Sequence, residues 1–199
     1  MYVTKRGEAW PKHAAVVLNL GWEELVFEDT RYFGRFTLDT SALAKLGPEP
    51  LNTEFTTSYL IEALARSAQA IKVRLLDQSL LAGVGNIYAS EALFRARISP
   101  VMAARRLTVN QVRLLRRAIR AVLAEAIRFG STVPLNHGVR DGADGLFYFG
   151  RAAGASDSCE ERLRVYDRVG QPCERCGGAI KRIVQAARST YYCPVCQRA

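Results

Sequence analysis

Apolar residues along this chain follow two different rhythms. From residue 14 to residue 38 they come in short dense runs, AAVVLNL over 14–20 and ELVFE over 24–28, broken at Gly21-Trp22. β-branched and aromatic runs of that length on either side of a turn signal predict a hairpin. Arg35 to Leu38, after Gly34, is a candidate third strand. Three strands are few for an independent sheet, so residues 1–46 read as the terminal strands of a larger β domain.

Leu46-Gly47-Pro48-Glu49-Pro50 is a stiff breaker, and residues 47–55 are expected to link two units. Beyond them the spacing is helical. A first helix is expected from Thr56 or Thr57, with Leu60, Ile61, Leu64 and Ala68 on one face. A short second helix covers about 70–80, a turn follows at Ala82-Gly83-Val84-Gly85-Asn86, and a third helix runs to about Arg97 before Pro100. The clearest helix is 109–129. Thr108 and Gln111 make a capping-box pattern, Gly130 stands where a C-terminal cap belongs, and Val112, Leu115, Ile119, Val122 and Ala126 form its apolar stripe. Arg113, Arg116, Arg117 and Arg120 share another face. Residues 131–160 are rich in Gly and Asp and read as a long loop closing a helical unit, 56–163. The expected class is mainly α with small β parts.

Composition narrows the function. Twenty-eight basic residues against nineteen acidic give a net charge of +9, and 23 of the 28 are arginine. Arginine's planar fork suits phosphate and guanine edges, so the balance favours a polyanionic partner, nucleic acid before anionic membrane. A solubility surface or a general arginine bias fits the charge as well. No apolar run is long enough to cross a bilayer and the N-terminus has no signal-peptide core, so a cytoplasmic protein is expected.

Four of the five cysteines form two pairs, Cys173-x2-Cys176 and Cys193-x2-Cys196, sixteen residues apart. Each pair presents two thiolates from one tight turn, and two such turns complete a tetrahedral zinc site with no open position, a structural one. A redox dithiol or two disulfides are the competing readings. Residues 179–186 and 189–192 then form the two strands of a hairpin in a C-terminal unit, 164–199, displaying Lys181, Arg182 and Arg188. Such a ribbon could serve protein contacts as well as nucleic acid. Cys159 stands outside the pattern.

The turn Gly83-Val84-Gly85-Asn86 joins two helices. Glycines allow close approach of another chain, and a helix opening at Asn86 aims free amides outward as a phosphate site. Tight helix packing explains the same glycines.

Taken together, LLDQSLLAGVGNIYASEALFRARISP (75–100) and PCERCGGAIKRIVQAARSTYYCPVCQ (172–197) resemble the helix–two-turn–helix core and the zinc finger of the formamidopyrimidine-DNA glycosylase and endonuclease VIII family. DTRYFGRF (29–36) resembles that family's Asp-Pro-Arg-Arg-Phe-Gly loop, and LGPEPL (46–51) its linker. The resemblance implies base-excision repair on double-stranded DNA carrying an oxidised purine or an abasic site, by a monomeric, nucleoid-associated protein of bacterial type with one structural zinc. Asn86, beside Gly85, and Arg188 would contact phosphate. Arg31 would fill the space opposite an extruded base, and Phe33 would wedge into the stack. Such wedges and clamps offset the cost of extrusion. Tyr32 and Thr30 depart from the family's second arginine and its proline.

Family members open on a proline whose amine attacks the sugar, followed by a glutamate. This chain begins Met1-Tyr2-Val3, and Pro11 is internal. No catalytic residue is therefore assigned. Lys5, Lys12 and Lys72 are available amines, but their neighbours in sequence indicate neither burial nor a partner charge. A glycosylase and lyase in part, a non-catalytic DNA-binding homologue and a zinc-ribbon adaptor remain as readings.

Overall fold

The computed structural model describes residues 2–30, 32–129 and 163–198. The first unit is a three-stranded antiparallel sheet of β1 (Tyr2–Lys5), β2 (Ala14–Asn19) and β3 (Glu23–Glu28), in the order β1-β3-β2. Its β2–β3 hairpin turns at the expected place, where Gly21 takes a φ of 100°. The third strand is not 35–38, which pairs with no strand among the described residues, but the chain's own start, with Val3 opposite Leu25. Central β3 alternates Glu24 and Val26 on its buried face; Glu24 accepts a hydrogen bond from the Trp10 indole at 2.8 Å. Residues 32–46 bury no side chain.

The helical unit consists of α1 (Thr57–Leu64), α2 (Ile71–Leu75), α3 (Asn86–Arg95) and α4 (Val109–Phe129). Thr56 caps α1 through its hydroxyl, which accepts from the Tyr59 amide. Ala68 lies past the end of α1 and is exposed, because the helix stops at Leu64. At α4 the Thr108 hydroxyl accepts from the Gln111 amide while the Gln111 side chain accepts from the Thr108 amide, the reciprocal box the sequence predicts. Gly130, the 131–160 loop and Cys159 lie outside the described residues. Val112, Leu115, Ile119 and Val122 are buried with Leu60, Leu64, Ile71, Leu75, Leu81 and Leu93 in one core, whereas Ala126 at the stripe's end is only half-buried.

Residues 47–55 lie fastened along this unit. Arg116 Nε donates to the Phe55 carbonyl, and Arg120 donates to the carbonyls of Pro50 and Asn52. Two arginines of the expected basic face thus hold the backbone of this strap. At the other end the Gly47 amide donates to Gln78, and a Cβ at Gly47 would stand 2.5 Å from the backbone of Leu80.

The C-terminal unit is a hairpin of β4 (Lys181–Gln185) and β5 (Arg188–Tyr192) carried on the cysteine turns. Gln185 faces Arg188 across a two-residue turn, Ala186-Ala187, whose φ angles of 47° and 58° are those of a type I′ hairpin. Alanine is strained in that left-handed region. No helix among the described residues is long and apolar enough to cross a membrane.

Candidate nucleic-acid interface

Three elements converge at the amino end of α3. α2 contributes Lys72, whose side chain is fully buried. Its ammonium donates to Asn86 Oδ1 at 2.5 Å and to Thr190 Oγ1 of β5 at 3.4 Å. Asn86 Nδ2 donates to the Ser189 carbonyl at 2.9 Å, so Asn86 joins the helix to the ribbon. Burial, followed by the charge of Arg188, lowers Lys72 to about 8 from an ordinary 10.5. Lys72 therefore has both features its sequence neighbours fail to show, burial and a close cation. One signal was available: it is the sole lysine between residues 46 and 180 of a chain that otherwise uses arginine there. A compact ammonium fits a cavity that a guanidinium fork would not.

The turn before α3 is held by Gln78, which accepts from the Gly83 amide and donates to the Val84 carbonyl. Gly83 needs its glycine, with φ at 75°. Gly85 does not: its φ is −95°, and a Cβ there would meet nothing within 4 Å. Nothing inside the fold calls for the missing side chain. Its absence leaves the first-turn amides of α3 open from outside, the arrangement that suits an oxyanion.

The ribbon is seated by a buried carboxylate. Glu91, on α3, accepts from three successive amides, those of Arg164, Val165 and Tyr166, at 2.9 to 3.1 Å. Burial raises its carboxyl above the usual range, and the three donors oppose that rise. Gln197 reaches the Ile98 carbonyl at 2.9 Å, and Arg175 caps the Phe94 carbonyl while lying over its ring. One side of the ribbon is thereby committed to the helical unit.

Cys173, Cys176, Cys193 and Cys196 bring their sulfurs within 4.8 Å of one another. The Cys173–Cys196 and Cys176–Cys193 separations are 3.9 and 3.5 Å. A tetrahedron of Zn–S bonds near 2.3 Å requires sulfurs about 3.8 Å apart, so the set fits one zinc ion with no vacant position. Without a metal the thiols differ: the Gly178 amide holds Cys176 down at about 7, while burial raises Cys193 and pushes Cys196 up to about 12, so binding a metal must displace protons.

Of the other expected residues, Arg188 is exposed at the first position of β5, beside the hairpin tip. Phe33 is 84% exposed in the loop after β3. Behind it Asp29 accepts from the Gly34 amide at 2.5 Å, and Phe27 packs so near that a Cβ on Gly34 would stand 2.7 Å away. Tyr32 takes a left-handed φ of 55° and its hydroxyl meets His13 Nδ1 at 3.1 Å. Arg31 lies outside the described residues. The structure thus joins Asn86 to the ribbon strand that carries Arg188, and adds Lys72, Ser189, Thr190 and Glu91, none of which the sequence had singled out for this role.

Fold and site together define a helix–two-turn–helix protein with an integral zinc ribbon. Residues 46–135 match the formamidopyrimidine-DNA glycosylase H2TH domain, and residues 170–199 match the zinc finger found in FPG and IleRS. A formamidopyrimidine-DNA glycosylase of Herpetosiphon aurantiacus is 45% identical over 203 residues, a match covering 99% of this chain and 70% of that protein. One from Chloroflexus aggregans is 46% identical, covering 93% and 64%. Among solved structures, MutM in complex with carbocyclic 8-oxo-G containing DNA superposes with a TM-score of 0.82 at 30% identity, covering 100% of this chain and 70% of that one. The MutM (Fpg) protein from Thermus thermophilus gives 0.78 at 41%, covering 99% and 73%. The chain belongs to the formamidopyrimidine-DNA glycosylase family. It spans about two thirds of the length of the curated relatives it matches.

Proposed function

We propose that this chain grips duplex DNA at a damaged or abasic position, as the helix–two-turn–helix and zinc-ribbon part of a base-excision repair glycosylase. The observation that carries this is the joint made by Lys72, Asn86, Ser189 and Thr190. It sets the open amides of α3 and the exposed Arg188 guanidinium on one rigid support, with a buried cation behind them. A phosphate there would meet the α3 amides, the remaining Asn86 Nδ2 hydrogen and the Arg188 fork. Phe33 and Arg31 take the wedge and gap-filling roles in this reading. Phe33 has the exposure that a wedge needs. An adaptor ribbon that works alone is poorly supported, since Glu91, Arg175 and Gln197 tie one of its sides to the helical unit.

For activity, the parent reaction would be removal of an oxidised purine and cleavage of the abasic strand through a Schiff base. Lys72 is enclosed and already bonded, so its amine is not the nucleophile of this reading. That observation favours a second reading for the chain taken alone, a binder without chemistry. The test joins affinity to trapping. Asn86→Ala and Arg188→Ala are each expected to weaken binding to undamaged and abasic duplex about tenfold; unchanged affinity in both would sink the clamp. A covalent adduct formed with an abasic duplex under borohydride would discard the non-catalytic reading.

A further inference from the structure

Several arginines in the described structure are occupied. Arg74, Arg95 and Arg168 pair with Asp77, Glu125 and Glu174, while Arg116, Arg120 and Arg175 hold backbone carbonyls. A separate group on the helical unit is not. Arg105, Arg106, Arg113 and Arg117 are all exposed, and no hydrogen bond or ion pair engages their guanidinium groups among the described residues. Arg66 shares both properties and lies one residue from Ser67, whose carbonyl accepts from the Arg105 amide at 2.9 Å. That bond, with the Ala104 amide on Gln69 at 2.8 Å, fixes the position of the Arg105–Arg106 backbone. From residue 92 to residue 124 the chain holds no acid at all.

The placement works against the fold's own electrostatics twice. Arg113 and Arg117 are like charges four residues apart on one helix, with Arg116 and Arg120 repeating the spacing, an arrangement that destabilises a helix. Arg105, Arg106 and Arg113 also gather at the amino end of α4, where the helix dipole already concentrates positive potential. An ordinary solvated helix face mixes both signs. A local conflict of this kind, unrelieved among the described residues, marks a surface suited to an anionic partner. The faces differ too. Val112, Leu115, Ile119 and Val122 turn toward the core shared with α3, so Arg113 and Arg117 point away from α3, at whose amino end Asn86 sits.

We propose that Arg105, Arg106, Arg113 and Arg117, flanked by Arg66, form a second DNA-backbone site that holds a duplex segment other than the one at Asn86 and Arg188. This rests on the reading that the Asn86–Arg188 side grips DNA. Arg113 and Arg117 are separated by about 6 Å of helix rise. One strand of a duplex carries a charge every ~3.4 Å of its axis, so both forks reach phosphates of one strand. Arginine, which donates two hydrogen bonds to one phosphate, is the residue used throughout. The protein thereby bridges two stretches of DNA.

Bridging is measured with the zinc-loaded full chain, one immobilised undamaged duplex and a second, fluorescent duplex in solution. Wild type is expected to capture the second duplex. The variant Arg105→Ala/Arg106→Ala/Arg113→Ala/Arg117→Ala is expected to hold the first duplex and lose capture at least tenfold. Capture should weaken with salt at a slope of about 0.9 per phosphate neutralised, roughly three to four in all. Removing like charges does not threaten α4, and circular dichroism verifies its helicity. Capture unchanged in the variant, or saturation of wild type at one duplex, overturns the proposal. So does competition by polyglutamate but not by duplex, which would assign the face to an acidic protein. Loss of both binding events in Asn86→Ala/Arg188→Ala also overturns it, since the second site must work without the first. If that double variant loses neither, the clamp reading fails and the arginine face stands.

Discussion

The ammonium of Lys72 and the side-chain oxygen of Asn86 lie 2.5 Å apart across fourteen residues of sequence, and the same ammonium reaches Thr190 from the other end of the chain. A charge enclosed in this way costs stability, and the cost depends on pH. Lys72 titrates at about 8 when folded against 10.5 when exposed. Between those values the unfolded chain binds more protons than the folded one, so stability rises with pH across that window. Below pH 8 the cost is complete. Lys72→Met removes the buried charge and should stabilise the protein by about 1 kcal/mol at pH 7 while weakening duplex binding. Thermal melts from pH 7 to pH 10.5 check this: the gap between variant and wild type narrows as pH climbs. A constant gap would contradict it.

Glu91 bears on the seating of the ribbon. Its carboxylate satisfies three consecutive amides, that of buried Val165 and those of half-buried Arg164 and Tyr166. Glu91→Ala leaves those donors unpaired, the Val165 amide among them in a buried position, at a cost of about 3 kcal/mol, with Glu91→Gln retaining part of the network. Hydrogen exchange at Val165 and Tyr166 should accelerate in both, more in the alanine variant. Exchange at wild-type rates would show that the turn at 164–166 holds itself.

Metal removal should separate the two halves of the joint. Zinc binding contributes on the order of 10 kcal/mol to such ribbons. Chelation, or Cys193→Ser, is therefore expected to unfold the ribbon while most helical signal persists. DNA affinity should fall with it, because Ser189 and Thr190 no longer support Asn86 and Lys72. Full binding by zinc-free protein would mean that α3 alone makes the interface.

The hairpin tip offers a gain rather than a loss. Ala187 sits at a φ of 58°, where glycine meets no steric penalty. Ala187→Gly should stabilise the ribbon by about 1 kcal/mol and raise its melting temperature; Ala187→Val should lower it. Calorimetry of the two variants decides the sign.

Phe33 is the opposite of a core aromatic. With 84% of it exposed, Phe33→Ala should change stability by no more than about 0.5 kcal/mol. Its effect should appear in the DNA instead, as reduced fluorescence change of a 2-aminopurine placed beside the lesion. A large stability loss would return Phe33 to packing.

What could be read from the sequence followed the range of the interactions. The α4 stripe from Val112 to Val122, the Thr108–Gln111 box and the cysteine spacing depend on neighbours within a few residues, and each is present in the structure. The 35–38 run has β character but no strand partner among the described residues, whereas Tyr2–Lys5 is strand by virtue of pairing with β3. Arg116 and Arg120 look like free charge on a helical wheel; only the return of residues 50–55 alongside them turns both into backbone clamps. Lys72 was passed over for the same reason. Its burial is made by Asn86 and Thr190, and no local window contains all three.

The clamped strap has a mechanical consequence. Residues 47–55 are anchored by Arg116 and Arg120 at one end and by Gln78 and the tight Gly47–Leu80 contact at the other. A pull between the β-sheet and the helices therefore finds little slack there. It falls instead on residues 32–46, which bury no side chain and yield first. The compliant joint lies upstream of Pro48 and Pro50, and a crosslink placed across 38–46 would stiffen the molecule more than one across 47–55.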